Sequence, residues 1–234
     1  MKDNFTWSGI GDDIKTFVNK CLHCQSRKGQ IRVTREQAHT LHASKPNEIL
    51  HFDYLYMSEG EQNWECILIL KGDFSSFVRQ IKTRTCDTDS AVEVLKDWIT
   101  TFGAPKIWVS DQGSHFKNEV MTKLAAVLET RHHFTSAYHA QSNGMVEVVC
   151  RETIRARRAL LSESKLWPKV WPKFTNTIQS VLNNSITDKL GKNIAPITAF
   201  TMLLPMNPLA ELFPTDLQST EVRTLTLAKA AQLI

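Results

Sequence analysis

The stretch KIWVSDQGSHF, residues 106–116, runs the apolar residues Ile107, Trp108 and Val109 towards Asp111 and breaks two positions later at Gly113. Such a run reads as a buried strand that ends on a carboxylate. Aspartate beside glycine is also ordinary turn punctuation, so taken alone the stretch supports a turn and a catalytic acid about equally. A carboxylate that does chemistry needs partners brought to it by the fold.

Working outward, DSAVEVLKDWITTFGAP (89–105) repeats apolar residues at Val92, Leu95, Ile99 and Phe102, a helix stopped by Gly103 and Pro105. Before it, NEILHFDYLYM (47–57), WECILILKGDF (64–74) and SFVRQIKTRTC (76–86) read as three successive strands, whose short connections favour antiparallel pairing. After Gly113, Ser114 is a candidate cap for a helix with an inner stripe of Phe116, Val120, Leu124 and Leu128. HHFTSAY (132–138) is a fifth strand candidate, followed by the turn-rich HAQSNG (139–144). A long helix is expected from about Asn143, and WPKVWPKFTNTIQSVLNN (167–184) forms another beyond a proline-marked break. The order βββαβαβαα predicts an α/β domain, a mixed five-stranded sheet with helices on its faces.

On that scaffold three acids stand out. Asp53 lies inside the first strand between Phe52 and Tyr54, an expensive place for a charge without a cation. Asp111 ends the fourth strand and converges on Asp53 if the two strands are neighbours. Glu147 falls in the first turns of the long helix. Carboxylates gathered at one sheet edge repel one another unless a divalent cation neutralises them. Mg²⁺ suits oxygen ligands and substrate phosphate, and a pair of such ions can drive phosphodiester displacement.

The whole composition allows this without requiring it. The 234 residues carry a net charge of +4, with 42% hydrophobic and 22% charged residues, which reads as globular and mildly favourable to nucleic acid. No stretch reaches the roughly 18 apolar residues of a membrane span, and the start lacks a signal-peptide core, so an intracellular place, nucleus or cytoplasm, is expected. Five cysteines, with only Cys21 and Cys24 close together, favour reduced thiols or a metal over a disulfide framework.

The ordered motifs HFD (51–53), FGAPKIWVSDQGSHF (102–116) and YHAQSNGMVE (138–147) resemble the retroviral-type integrases, most of all those of gypsy-type LTR retrotransposons in the ribonuclease H-like superfamily. The resemblance implies a ribonuclease H-like fold, Asp53, Asp111 and Glu147 as catalytic Mg²⁺ (or Mn²⁺) ligands, and a multimer that processes 3′ ends of element DNA and joins them to target DNA. It also places NFTWSGIGDDIKTFVNKCLHCQSRK (4–28) as the second half of a small zinc domain, with Cys21 and Cys24 as half a Zn²⁺ site and the upstream histidines not in the chain. His39 and His42 would complete a Cys–His set only at unusual spacing. The implied organisation is a partial zinc-binding domain at 1–30, a linker at 31–46, a catalytic core at 47–205 and a C-terminal extension at 206–234.

Glu147, Arg151, Arg155 and Arg158 recur at helical spacing, which offers guanidinium groups to DNA phosphates or, on the bland reading, a solvated face of ion pairs. Gln141, Ser142 and Asn143 form a polar loop suited to nucleic-acid contact, and also an ordinary helix cap. Trp64, Trp98, Trp108, Trp167 and Trp171 sit at apolar-patterned positions and are expected in the core. Val148, Cys150 and Ala140 depart from residues common in the family. With the shortened zinc domain, they support an alternative: an inactive, truncated or host-captured remnant that binds nucleic acid or a partner. A related nuclease is disfavoured by the zinc-domain segment.

Overall fold

The computed structural model describes residues 7–20, 41–135, 144–187, 190 and 194–206. The chain divides into two units, Met1–Gln37 and Ala38–Ile234. In the first, helix α1 spans Ile10–Lys20, with Asp12 and Asp13 in its first turn and Lys20 in its last, charges that complement the helix dipole. Its Ile14, Phe17 and Val18 are exposed.

The second unit is built on one sheet: β1 Ile49–Tyr56, β2 Cys66–Gly72, β3 Val78–Thr83, β4 Ile107–Ser110 and β5 Arg131–Phe134, in the order β3-β2-β1-β4-β5. The first three strands pair antiparallel, as short connections dictate, and β4 and β5 join β1 in parallel through helical crossovers. The helices are α2 Thr88–Phe102, α3 Glu119–Val127, α4 Gly144–Glu163, α5 Thr175–Asn184 and α6 Pro196–Thr201.

Strand alternation divides the core in two. Leu50, Phe52 and Tyr54 of β1 and Leu68 and Leu70 of β2 face one side, packing with Trp98 of α2, Trp108, Phe116 and Met121. Leu55, Ile67, Ile69 and Val78 face the other, against Val146 and Val149 of α4 and Trp171. Helix α2 starts where the Asp87 side chain accepts from Ser90 N–H at 2.9 Å and ends at Gly103, whose φ of 84° few other residues tolerate.

Four local expectations are corrected: the Ser114 cap, the buried tryptophans, the unbroken helix over 167–184 and the reduced cysteines. Ser114 does not cap α3: Asn118 does, its Oδ1 accepting from Met121 N–H at 2.9 Å while its Nδ2 donates to Ser114 O, so the helix begins a turn later and Val120 is exposed. The tryptophans are not all core, since Trp98, Trp108 and Trp171 are fully buried but Trp167 is 81% exposed at the start of a 3-10 helix, Pro168–Phe174. Pro168 and Pro172 withdraw backbone donors there, so the expected continuous helix splits before α5. Cys66 and Cys86 form a disulfide; β2 and the end of β3 bring them to a Cα separation of 6.1 Å although they lie 20 residues apart in sequence.

The β1–β2 connection passes close over Trp171, whose Nε1 donates to Ser58 O at 2.8 Å. A Cβ on Gly60 would come within 2.6 Å of that nitrogen and 2.7 Å of Pro172 Cγ. Gly60→Ala is therefore expected to lower stability by about 1–3 kcal/mol through overpacking, read as a reduced urea midpoint at unchanged slope.

At the free edge of β3, α5 supplies side-chain partners. Asn183 Oδ1 accepts from Val78 N–H at 2.8 Å and its Nδ2 donates to Val78 O at 2.7 Å, while Gln179 Oε1 accepts from Gln80 N–H at 2.6 Å.

Candidate active site

The parallel register of β1 and β4 pairs Ile49 with Ile107 and His51 with Val109. Carried two residues further, it sets Asp53 level with Asp111. Trp108 and its partner Leu50 share the α2 side of the sheet, so Val109, Asp111, His51 and Asp53 belong to the opposite side by alternation. That side is covered by α4, anchored through Val146 and Val149 against Ile69, the β2 partner of Asp53. Glu147 lies in the first turn of α4 between those anchors. Strand register and one amphipathic helix thus bring the three acids to the same end of one face.

Their charges act on each other. Burial, then Asp111 and Glu147, push the Asp53 carboxyl up to about 7, against a lowering hydrogen bond from the Tyr54 backbone. Cys150, one turn beyond Glu147, is pushed up to about 12 by burial and by Asp53 and Glu147, which keeps its thiol neutral. Asp111 is nearly half exposed; its Oδ1 accepts from Gly113 N–H at 2.9 Å and lies 3.9 Å from His115 Nε2. Gly113 is required by proximity, since a Cβ there would lie 2.5 Å from the His115 ring and 3.1 Å from Asp111 Oδ1. The turn reading of the aspartate describes what this side chain does here.

Among the described residues, no three His, Cys, Asp or Glu side chains stand in a ready-made metal cluster. The donor chemistry nevertheless suits a hard divalent cation: three carboxylates, with Asp53 held in a crowded, partly desolvated place where positive charge would relieve repulsion.

Residues 43–140 match the family model described as "Integrase core domain", and residues 1–30 match "Integrase zinc binding domain". Residues 43–140 are thus similar to integrase core domains. A Pro-Pol polyprotein of feline foamy virus is 25% identical over 186 residues, covering 79% of this chain and 16% of the relative. The Retrovirus-related Pol polyprotein from transposon 412 of Drosophila melanogaster is 24% identical over 190 residues, covering 79% and 15%. The chain therefore spans about one sixth of the length of these curated relatives. Among solved structures, the HTLV-2 integrase catalytic core domain in complex with magnesium, in a trimeric form, superposes at a TM-score of 0.54 with 16% identity, covering 67% of this chain and 97% of that one. The fold is that of an integrase catalytic core, ribonuclease H-like in its mixed five-stranded sheet and flanking helices.

Beyond the integrase core match, the arginines of α4 divide. Arg158 is exposed, Arg151 is partly buried, and Arg155 pairs with Glu152 at 2.9 Å. Arg157 turns inward against Met57, and burial lowers its guanidinium from the usual range. Gln141, Ser142, Asn143, Cys21, Cys24 and His39 lie outside the described residues, as do Ala140 and the tail 207–234. His42 stands 3.9 Å from Asp73, a carboxylate that also accepts from Ala43 N–H and meets the buried His51 at 3.3 Å. Lys71 was missed by pattern reading; its only signal is a lysine at the end of an otherwise apolar strand, CILILKG.

Beneath Asp111, His132 packs between Trp108 and Phe134, and its Nε2 lies 2.9 Å from Ser110 Oγ. Burial, then the neighbouring His133, push it down to about 4. Because the folded value lies below the unfolded one of about 6.5, the unfolded chain binds more protons between them, and stability falls as pH drops through that window. After allowance for solvent screening the expected loss is about 1–2 kcal/mol by pH 4.5. His132→Gln should remove that share of the pH dependence in urea titrations at pH 7 and 4.5.

Proposed function

We propose that this chain is the integrase of an LTR retrotransposon of gypsy type, a polynucleotidyl transferase that trims the 3′ ends of element DNA and transfers them to target DNA as a multimer. The observation that carries the reading is the parallel pairing of β1 with β4, which, carried two residues past His51 and Val109, brings Asp53 level with Asp111 on the face covered by α4, with Glu147 in that helix's first turn. Asp53, Asp111 and Glu147 would hold the divalent cation, with magnesium favoured by their oxygen donors. When bound, that cation supplies activation of the attacking oxygen and charge stabilisation on the leaving one.

The chain's own groups do the rest. Asp53, half-withdrawn from water, keeps its carboxylate near the acids of β4 and α4 rather than in bulk solvent. Arg151 and Arg158 take the phosphates of DNA lying along α4, and Arg155 joins them on leaving Glu152. Gln141, Ser142 and Asn143 contact sugar and base edges, and Cys21 and Cys24 contribute to zinc binding in the N-terminal unit.

The test is incubation of the full chain with duplexes bearing the element's terminal sequence and a supercoiled plasmid, with Mg²⁺ or Mn²⁺. Shortened 3′ ends and plasmid-joined products are expected. A folded, multimeric sample that neither trims nor joins any terminal duplex overturns the enzymatic reading, and retained DNA binding in that case selects the remnant.

A further inference from the structure

Lys71 is 4% exposed, on β2. A buried lysine loses hydration that only charges or hydrogen-bond acceptors can replace, so it is uncommon without a task. Register identifies its surroundings. His51 is its cross-strand partner on β1, and Ile69, two residues back along β2, is the partner of Asp53 and packs in the cluster with Val146 and Val149 of α4. Lys71 therefore shares the sheet face of Asp53 and Asp111, as a diagonal neighbour of Asp53. Its Nζ donates to Met145 O at 3.2 Å, in the first turn of α4 and two residues before Glu147.

We propose that Lys71 is a positioning residue whose buried side-chain nitrogen ties β2 to the first turn of α4 and so fixes where Glu147 stands relative to Asp53 and Asp111. The inference rests on the integrase reading for its consequence and on the contact for its mechanics. Val146 and Val149 press that turn on the sheet without direction, and the lysine bond adds a directional hold on it. An apolar contact tolerates sliding, whereas a hydrogen bond to one carbonyl does not.

The experiment compares wild type, Lys71→Met and Lys71→Arg as full chains. Met keeps the length and most of the volume of the side chain but cannot donate; Arg keeps the charge and donors. Hydrogen exchange of amides 145–150, in metal-free protein, is expected to accelerate at least about tenfold in Lys71→Met, with β1 and β2 amides unchanged, and to return most of the way in Lys71→Arg. The half-saturating Mn²⁺ concentration for strand transfer should rise at least about threefold in the Met variant and recover with Arg. Unchanged exchange at 145–150 overturns the proposal. A uniform acceleration across β1, β2 and α4 in both variants also overturns it, marking Lys71 as a packing residue. The exchange readout needs no turnover, so it decides the lysine's role even where wild-type protein joins no DNA and the functional reading itself fails.

Discussion

Under the proposed integrase reading, Asp111→Asn is expected to lower strand transfer by on the order of 10³-fold or more while DNA binding stays within about twofold of wild type. Asparagine has the same shape and can still accept from Gly113 N–H through its side-chain oxygen, so the turn at residues 111–113 survives. What it removes is one negative charge from a set whose mutual influence reaches Asp53. On that reading a hard cation would lose an anionic ligand, while the proposed phosphate contacts of the α4 arginines would be untouched. The measurement pairs a gel assay of joined product with fluorescence anisotropy on the same terminal duplex. A variant that joins DNA at a tenth of the wild-type rate or better removes Asp111 from the cation site. A second readout separates chemistry from folding: without metal, relief of crowding should leave the melting temperature of Asp111→Asn equal to or above that of wild type. With Mg²⁺ added, the wild type should gain more than the variant.

Trp171→Ala lowers stability by about 3–5 kcal/mol, a large share of the roughly 5–15 kcal/mol typical of a domain. Trp171 is 1% exposed, sits in the cluster with Leu55, Ile67 and Val149, and holds the β1–β2 connection through Ser58 O at 2.8 Å. Alanine would leave a cavity, orphan that carbonyl and free the turn at Gly60 that the ring now covers. Because the same cluster seats α4, the loss should reach Glu147 as well as the melting point. Guanidinium titration checks the first effect. Hydrogen exchange checks the second: faster exchange over 145–150 than over α2 is expected. A destabilisation below about 1 kcal/mol would show that the site collapses around the missing ring.

Much of this architecture is legible in residue order. The apolar runs of β1 and β2, bounded by polar or glycine-containing breaks, mark buried strands, but because both faces are covered the runs do not say which residue faces which side. That β1 and β4 are neighbours is only a condition in the sequence; the sheet order supplies it, because the helix from β3 carries the chain past β2 to the far side of β1. Pattern reading fails where a side chain, not a stripe, decides. Asn118 outcompetes Ser114 because it can serve both Met121 and Ser114, a geometry invisible in spacing. Cys66 and Cys86 meet only because β3 returns beside β2. Trp167 looks like its buried neighbours in a hydropathy pattern, yet Pro168 starts a new helix and leaves it outside. Lys71 hides in part because it donates to a backbone carbonyl 74 residues away, and backbone atoms carry no sequence signature.

The amides of Asn183 and Gln179 satisfy the backbone of Val78 and Gln80 where another strand would otherwise dock. A sheet finished in this way cannot grow by templating from one copy to the next, so filament formation through this border requires α5 to peel off first. Damage to α5, whether a cut or a helix-breaking proline, would therefore do more than loosen a helix: it would uncover a cohesive margin open to pairing with another strand.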